Sequence, residues 1–249
     1  MFILKLIKIK EQKRMRRRIW KYGIILLLLM AGAGLLMKKD TIDKKLKDCL
    51  REQESLIDYA SDGQKVYAIV SSTNNQEYGD ILMVFEITKE GNYLREYSND
   101  FPNLKPWKLE VADIDQDGIT DILTGVRKTT HYDPVEKNRF FVFNYIEGKL
   151  VKKWTGSQIA GTWNDFYVGD FLPAKGEEVL FLSQTKDGRE KLGIYYWFQF
   201  GFLMLAQSEE YQAVEGVRLT KEGVLQMNCS RDKEKWIDLT VKNGKIMQK

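Results

Sequence analysis

The chain has 249 residues, of which 43% are hydrophobic and 30% charged, with 19 glycines and four prolines. This composition excludes a collagen-like or low-complexity chain, and the length allows one sizeable domain with an anchor, or two small domains. The formal charge is +4, but residues 1–39 hold eleven basic side chains and one acid, which leaves 28 basic and 34 acidic residues and a net charge of −6 in the remainder. Such a body repels a phosphate backbone, so we expect no nucleic-acid partner.

Residues 19–37 (IWKYGIILLLLMAGAGLLM) are predicted to form a transmembrane signal-anchor helix behind a basic cytoplasmic tail, residues 1–18. At about 1.5 Å per residue this helix covers most of a hydrocarbon core about 30 Å thick. Trp20 and Tyr22 stand where an aromatic belt is expected. A cleaved signal peptide ending near Ala33 and a buried core helix are the alternatives.

Basic residues are unequally distributed about this segment. Nine lie up to and including Lys21, and five follow it closely, between Lys38 and Lys47. The positive-inside rule therefore keeps the N-terminus in the cytoplasm and sends the C-terminal part across the cell membrane. The protein is predicted to be single-pass, with an extracytoplasmic domain over residues 56–249.

A polar stretch, residues 38–55, connects the anchor to this domain. Ile42, Leu46, Cys49 and Leu50 recur at helical spacing, which is typical of a short stalk helix. A solvated spacer is the alternative.

Three segments of the remaining sequence can be aligned. They begin at Leu56, Glu110 and Tyr167, and each has an apolar strand, an aspartate, a short polar loop that closes on glycine, and a second apolar strand. The aligned aspartates are Asp58, Asp113 and Asp170. A recurring unit of this size indicates a repeat architecture.

Short apolar runs separated by glycine turns occupy the space between these segments. Such runs, with turn residues every 8–12 positions, indicate an all-β protein. Counting about four strands per unit predicts a small β-propeller of about four blades, in which the segment at Leu56–Asp58 completes the last blade and so protects the sheet edges. A sandwich and an open β-solenoid are the alternatives.

The central unit contains Asp113, Asp115, Asp117, Gly118, Ile119 and Asp121. Carboxylates at loop positions one, three, five and nine, with glycine at six and the Ile119 carbonyl at seven, can surround one hard cation with oxygen. Calcium accepts six to eight such ligands in flexible geometry, so the sequence predicts a structural calcium ion bound by Asp113, Asp115, Asp117, Ile119 and Asp121. A loop that merely holds two strands together, with or without a metal, is the alternative.

This loop and its flanking strands resemble the FG-GAP or VCBS repeat, the calcium-loop blade of integrin-α-type propellers. The resemblance is good over residues 110–126, weaker in the first unit and poor in the third. Residues 154–202 are similar to uncharacterised, membrane-anchored Firmicutes proteins with such repeats. The resemblance implies a propeller blade with bound calcium and no particular activity.

Other residues are compatible with more than one role. His131, the single histidine, is a candidate proton-transfer group with Asp133 or a loop residue. Cys49 and Cys229 could form one disulfide outside the cytoplasm. The aromatic run 195–202 is typical of core strands or of a platform for sugar rings.

Two functions follow from these observations. The first is a membrane-anchored, extracytoplasmic module that binds an envelope protein or glycan without catalysis. The alternative is an envelope hydrolase or lyase that acts on glycans, which requires two carboxyls with perturbed pKa values in a central pocket. Glu177 and Glu178 could in principle pair as the carboxylates of glycosidases do, but the sequence fixes no two carboxylates at a working separation, so no catalytic pair is predicted.

Overall fold

The computed structural model describes residues 42–73, 77–101, 103–156, 159–172, 176–229 and 235–249. It divides into two compact units, Met1–Cys49 and Leu50–Lys249. In the first unit residues 42–48 form a short helix, and Lys47 Nζ lies 2.7 Å from Asp43 Oδ2. The predicted membrane segment, residues 19–37, lies outside the described residues. Within the described part of the chain no helix is long and apolar enough to span a bilayer.

The second unit is all-β, and its described residues form sixteen strands. The first eight are β1 (Ser55–Ser61), β2 (Lys65–Ser71), β3 (Ile81–Ile87), β4 (Tyr93–Asp100), β5 (Pro106–Ala112), β6 (Asp121–Thr130), β7 (Asp133–Ile146) and β8 (Lys149–Gly156). The others are β9 (Thr162–Gly169), β10 (Glu178–Gln184), β11 (Glu190–Phe198), β12 (Gly201–Ser208), β13 (Gly216–Leu219), β14 (Leu225–Asn228), β15 (Ile237–Lys242) and β16 (Lys245–Gln248).

The strands form four antiparallel meanders of four strands each. The strands β1–β4 and β5–β8 are separate sheets, while β9–β12 and β13–β16 join into one eight-stranded sheet. The junction is a short parallel pairing of Gln207 and Ser208 with Lys245 and Ile246. The all-β class and the repeating unit of four strands are therefore confirmed.

Tight turns explain why neighbouring strands pair. Glu147-Gly148 and Asn243-Gly244 connect their hairpins with positive φ at both residues, 50° and 74° in the first turn and 52° and 72° in the second. Such turns match the right-handed twist of paired strands, and glycine and asparagine adopt them most readily.

The predicted strand exchange between the ends of the domain is wrong. β1 pairs with β2 of its own sheet, in a register that joins Leu56 to Val70 and Ser61 to Val66. The last sheet obtains its fourth strand from β13, a four-residue segment, Gly-Val-Arg-Leu. Only Val217 of that segment is buried, so its apolar pattern is too weak to be recognised in the sequence.

Three hydrophobic clusters hold successive meanders together. Tyr67, Leu109 and Phe143 belong to the cluster between the first and second meanders. The second and third share a cluster that includes Phe140, Trp163, Phe166 and Phe181, and the third and fourth share one that includes Leu180, Val217 and Met227. Among the described residues no such cluster joins the fourth meander to the first.

Polar links between the first strands of successive meanders align the repeats. Asp58 Oδ2 accepts a hydrogen bond of 2.8 Å from the Leu109 backbone, so β1 is tied to β5. Lys108 Nζ lies 2.7 Å from Asp165 Oδ1, so β5 is tied to β9. The loops that follow these strands are therefore brought to the same rim of the domain.

Candidate functional site

The loop between β5 and β6, residues 113–120 together with Asp121 at the start of β6, is called the Asp loop below. Asp113 accepts hydrogen bonds from the backbone N–H groups of Asp117 (3.1 Å) and Gly118 (2.9 Å), while Asp117 accepts one from Ile119 (2.8 Å). Gly118 has φ +81° with open space where a Cβ would lie, which is the conformation that the predicted sharp turn requires.

Three of the five predicted calcium ligands come together in this loop. The carboxylates of Asp113, Asp115 and Asp117 each offer an oxygen, and these oxygens lie within 4.8 Å of one another. This donor set suits a hard cation, which prefers oxygen ligands. Ile119, whose carbonyl is the predicted ligand, is 38% exposed.

The fifth ligand, Asp121, has other partners. Its side chain is fully buried; Oδ2 accepts a hydrogen bond from the Ile114 backbone at 3.0 Å, and Oδ1 accepts one from Asn144 at 2.7 Å. The Lys153 ammonium also lies 2.7 Å from Oδ1. Burial raises the pKa of Asp121, and the bonds to Lys153 and Asn144 oppose that rise.

Lys153 is the residue of this site that the sequence analysis missed. From β8 its ammonium reaches Asp115 Oδ1 at 2.7 Å as well as Asp121, and Asp117 Oδ2 lies 4.0 Å away. Burial opposes its charge, but the bonds to Asp115 and Asp121 outweigh burial and raise its pKa. No local pattern could have identified it, because Lys153 and Asp121 are separated by 32 positions.

The loops of the first and third units contact the Asp loop. Thr120 donates a hydrogen bond of 3.0 Å to Asp62 in the first loop. Glu177 in the third loop lies 3.4 Å from the Asp113 backbone N–H. Burial raises the pKa of Glu177, the Asp113 N–H opposes that rise, and the charges of Asp113 and Asp170 add to it. The rim is therefore strongly acidic around Asp113.

The alignment of Asp58 with Asp113 and Asp170 is wrong. Asp58 lies within β1, whereas Asp113 and Asp170 are the first residues after β5 and β9. The equivalent residue of the first unit is Asp62, which follows β1 and accepts the backbone N–H groups of Gln64 and Lys65. The error arose because the first loop is shorter than the other two.

Glu178 in the third unit is structurally equivalent to Asp121 in the second. Both start a strand and are fully buried, and Glu178 Oε2 accepts backbone N–H groups from Phe171 (2.9 Å) and Leu172 (3.2 Å). Its Oε1 accepts no hydrogen bond from the described residues. An acid that caps the loop backbone is thus common to both units.

An open cavity of about 440 Å³ lies beside the Asp loop. One wall is formed by residues 114–116 of that loop and the other by residues 196–199 at the end of β11. Two of its lining residues, Gln116 and Gln199, have left-handed backbone conformations, with φ 59° and 56°. Such conformations are uncommon for residues other than glycine and occur in turns, as at Glu147 and Asn243.

The aromatic run 195–202 contains both packed and exposed rings. Tyr195 packs on Phe181 at 5.5 Å, and Trp197 packs on Phe202 at 5.2 Å, so these rings belong to the core. Phe198 and Phe200 are 51% and 83% exposed, and Phe198 lines the cavity.

His131 and Asp133 do not form a proton-transfer pair. His131 lies in the turn between β6 and β7 and contacts the ring of Tyr132, with centroids 4.8 Å apart. Asp133 Oδ2 lies 2.7 Å from both Lys137 and the buried Arg139, and these bonds lower the pKa of Asp133 to about 2. The carboxylate therefore stabilises the hairpin. Neither Cys49 nor Cys229 takes part in a disulfide.

The buried carboxyl of Glu178 predicts a particular pH dependence. Burial raises its pKa above the ordinary 4.5, and the Phe171 and Leu172 N–H groups oppose the rise. Between 4.5 and the folded-state pKa the folded protein binds more protons than the unfolded chain, so stability falls as pH rises through this window.

We expect the free energy of unfolding of the wild type to increase relative to Glu178→Gln as pH is lowered from neutral towards 4.5. Urea unfolding at a series of pH values measures this difference in the free energy of unfolding. The exposed Glu222→Gln variant is the control, and equal pH profiles for wild type and Glu178→Gln would contradict the prediction.

The fold and this rim define the protein as an all-β repeat protein built from four-stranded meanders. No family model matches the chain, and no curated protein matches it. Among solved structures, a protein from Bacteroides uniformis that is provisionally assigned as a 6-phosphogluconolactonase is similar at 12% identity, with a TM-score of 0.40, over 76% of this chain and 68% of that chain. A second such protein, from Bacteroides fragilis, is similar at 12% identity, with a TM-score of 0.35, over 78% of this chain and 79% of that chain.

The resemblance to the FG-GAP or VCBS repeat, and to membrane-anchored proteins that contain it, is therefore wrong. No family model matches the segment that carried the resemblance. The physical reason lies in the loop itself, where the acid at the ninth position is bonded to Lys153 and Asn144. A spacing of aspartates in a β-hairpin loop is not sufficient to identify that family.

Proposed function

We propose that this protein is a non-catalytic binding module, held at the outer face of the cell membrane by residues 19–37, which binds an envelope glycan in the cavity beside the Asp loop. The charge distribution of the first 47 residues supports the orientation. The finer arrangement that we propose for the four meanders is that of propeller blades in an open series, since successive meanders share clusters.

The cavity is the observation that carries this proposal. Its volume of about 440 Å³ is within the range of small-ligand sites. Tyr196, Trp197 and Phe198 supply aromatic surface, and the side chains of Asp115, Gln116 and Gln199 supply hydrogen-bonding groups. Aromatic faces beside amide and carboxylate groups suit a sugar ring, which has an apolar face and hydroxyl groups at its edge.

We also propose that external calcium binds the oxygens of Asp113, Asp115 and Asp117 and holds this wall of the cavity in place. The three carboxylates fit a hard cation. The Ile119 carbonyl is the fourth predicted ligand, and Asp121 joins only if Lys153 is displaced. Extracellular calcium modules bind with Kd of about 10⁻⁴–10⁻³ M, so calcium outside the cell is sufficient.

The hydrolase alternative has less support from the geometry. Glu178 is the first residue of β10, whereas Glu177 is the last residue of the preceding loop and lies near the Asp113 backbone N–H. Glu178 is bonded to the backbone of its own loop. The cavity beside the Asp loop has one carboxylate, Asp115, in its lining.

Binding to purified peptidoglycan sacculi tests the proposed function. The full-length protein in detergent is sedimented with sacculi, and a parallel arm uses envelope proteins depleted of glycan. We expect Phe198→Ala and Gln116→Ala to weaken binding by about fivefold or more, the loss typical of a residue central to a contact. The matched control is Phe200→Ala, because Phe200 is 83% exposed and lies outside the cavity lining.

Equal binding by all three variants would refute the assignment of this cavity. Binding only in the protein arm would refute a glycan as the ligand.

A further inference from the structure

The side-chain ammonium of Lys153 lies beside the carboxylates of the Asp loop. Lys153 projects from β8, and its side chain is 12% exposed. The ammonium lies 2.7 Å from carboxylate oxygens of both Asp115 and Asp121, and 4.0 Å from Asp117. The ammonium is therefore close to two predicted calcium ligands, the partly exposed Asp115 and the fully buried Asp121.

The surroundings of this ammonium are complementary to it. An ammonium has three N–H donors; Lys153 donates one to Asp121 Oδ1, and its contact with Asp115 Oδ1 at 2.7 Å is an ion pair. The ring of Trp197 lies 5.6 Å from Nζ, and an aromatic face within about 6 Å attracts a cation. Two carboxylates and a π face form a site that holds an ammonium by charge, hydrogen bonds and polarisability together.

The charge balance of the loop depends on this contact. Asp121 is fully buried, and a buried carboxylate requires a charge partner or hydrogen bonds to remain ionised. Asn144 and the Ile114 backbone supply two hydrogen bonds, and Lys153 supplies the positive charge. Asp115 and Asp117 would otherwise repel Asp121 and each other.

We propose that Lys153 is the resident counter-ion of the Asp loop: its ammonium keeps the loop folded without a metal, and a divalent ion must compete with it for Asp115 and Asp121. The first half is independent of the proposed function. The competition with a divalent ion rests on the proposed calcium site. If that site binds calcium, Lys153, a side chain from a neighbouring hairpin, regulates its calcium affinity.

Lys153→Met is the decisive variant, because methionine keeps the apolar stem and removes the charge. Lys152→Met is the matched control, since Lys152 is the preceding residue of β8 and is exposed. Full-length wild type and both variants are purified in detergent and dialysed against EDTA. Thermal unfolding is followed in EDTA and at calcium concentrations from about 10⁻⁵ to 10⁻² M, which span the range of extracellular modules, and calcium affinity is measured by calorimetry.

In EDTA we expect Lys153→Met to melt well below the wild type and Lys152→Met to match the wild type. Calcium should restore the melting temperature of Lys153→Met and bind it about tenfold more tightly than the wild type, because the competing ammonium is gone. A merely structural lysine would not increase calcium affinity when it is removed.

The two halves of the proposal fail in different ways. If Lys153→Met melts like Lys152→Met in EDTA and binds calcium like the wild type, the counter-ion role is refuted and the calcium site stands. If no variant binds calcium but Lys153→Met is destabilised in EDTA, the counter-ion role is upheld and the calcium proposal fails.

If Lys153→Met does not fold, Asp115→Asn decides the question. Loss of one carboxylate partner of Lys153 should lower the melting temperature in EDTA. An unchanged or raised melting temperature would show that the carboxylates repel one another without an effective counter-ion, and this would overturn the proposal.

Discussion

Phe140→Ala is expected to lower the free energy of unfolding by about 3–5 kcal/mol, the cost of a large cavity in a packed core. Phe140 is fully buried, and its ring lies 5.0 Å from those of both Phe166 and Phe181 and 5.6 Å from that of Phe202. Alanine removes these aromatic contacts and leaves a void between the second and third meanders, which share this cluster.

Urea unfolding of the full chain measures this loss, and Phe200→Ala is the matched control. Phe200 has the same side chain but is 83% exposed, so its removal should change stability by less than about 0.5 kcal/mol. Thermal unfolding should show a decrease of about 10 °C for Phe140→Ala in a domain of this size. Equal effects of the two variants would contradict the packing of the second meander on the third.

Asp121→Ala is expected to destabilise the protein by about 3–5 kcal/mol, because it breaks a buried ion pair by removing one partner. The Lys153 ammonium would lose one of its two nearest carboxylates, and the buried donors of Asn144 and Ile114 would lose their acceptor. A buried donor without an acceptor costs about 1–3 kcal/mol by itself.

Asp117→Ala is the control for this measurement, made by urea unfolding in EDTA so that a bound cation does not contribute. The Asp117 side chain is 43% exposed and 4.0 Å from Lys153, and exposed ion pairs contribute about 1 kcal/mol or less. Asp121→Asn should fall between the two, since the amide can still accept one hydrogen bond. A loss for Asp121→Ala as small as that for Asp117→Ala would mean that the buried pair does not organise the loop.

The hairpins of this domain could be predicted from the sequence because their determinants are local. The short apolar runs between glycine turns are strands in the structure, as β3 and β10 show. Turn chemistry is equally local, as Asn243-Gly244 shows. The Asp loop was also located correctly, since its backbone is held by its own aspartates, with Asp113 and Asp117 as acceptors.

The errors concern contacts between residues that are distant in the sequence. The strand β13 was missed because a four-residue edge segment with one buried side chain has little periodicity. The exchange of β1 was predicted to complete a sheet that β13 already completes. Asp58 was aligned with Asp113 by its position in the sequence alone. In the structure its carboxylate links β1 to β5, and Asp62 is the aspartate of the loop after β1.

The sequence by itself therefore determined the all-β class, the four-stranded repeat and the loop that concentrates three carboxylates. Only the tertiary structure decided which charged groups contact those carboxylates. Asp121 and Lys153 are separated by 32 positions and lie on different hairpins, so no spacing rule connects them. Their contact depends on how β8 packs beside the Asp loop, because an ion pair is set by distance in space and by burial, neither of which a linear pattern contains.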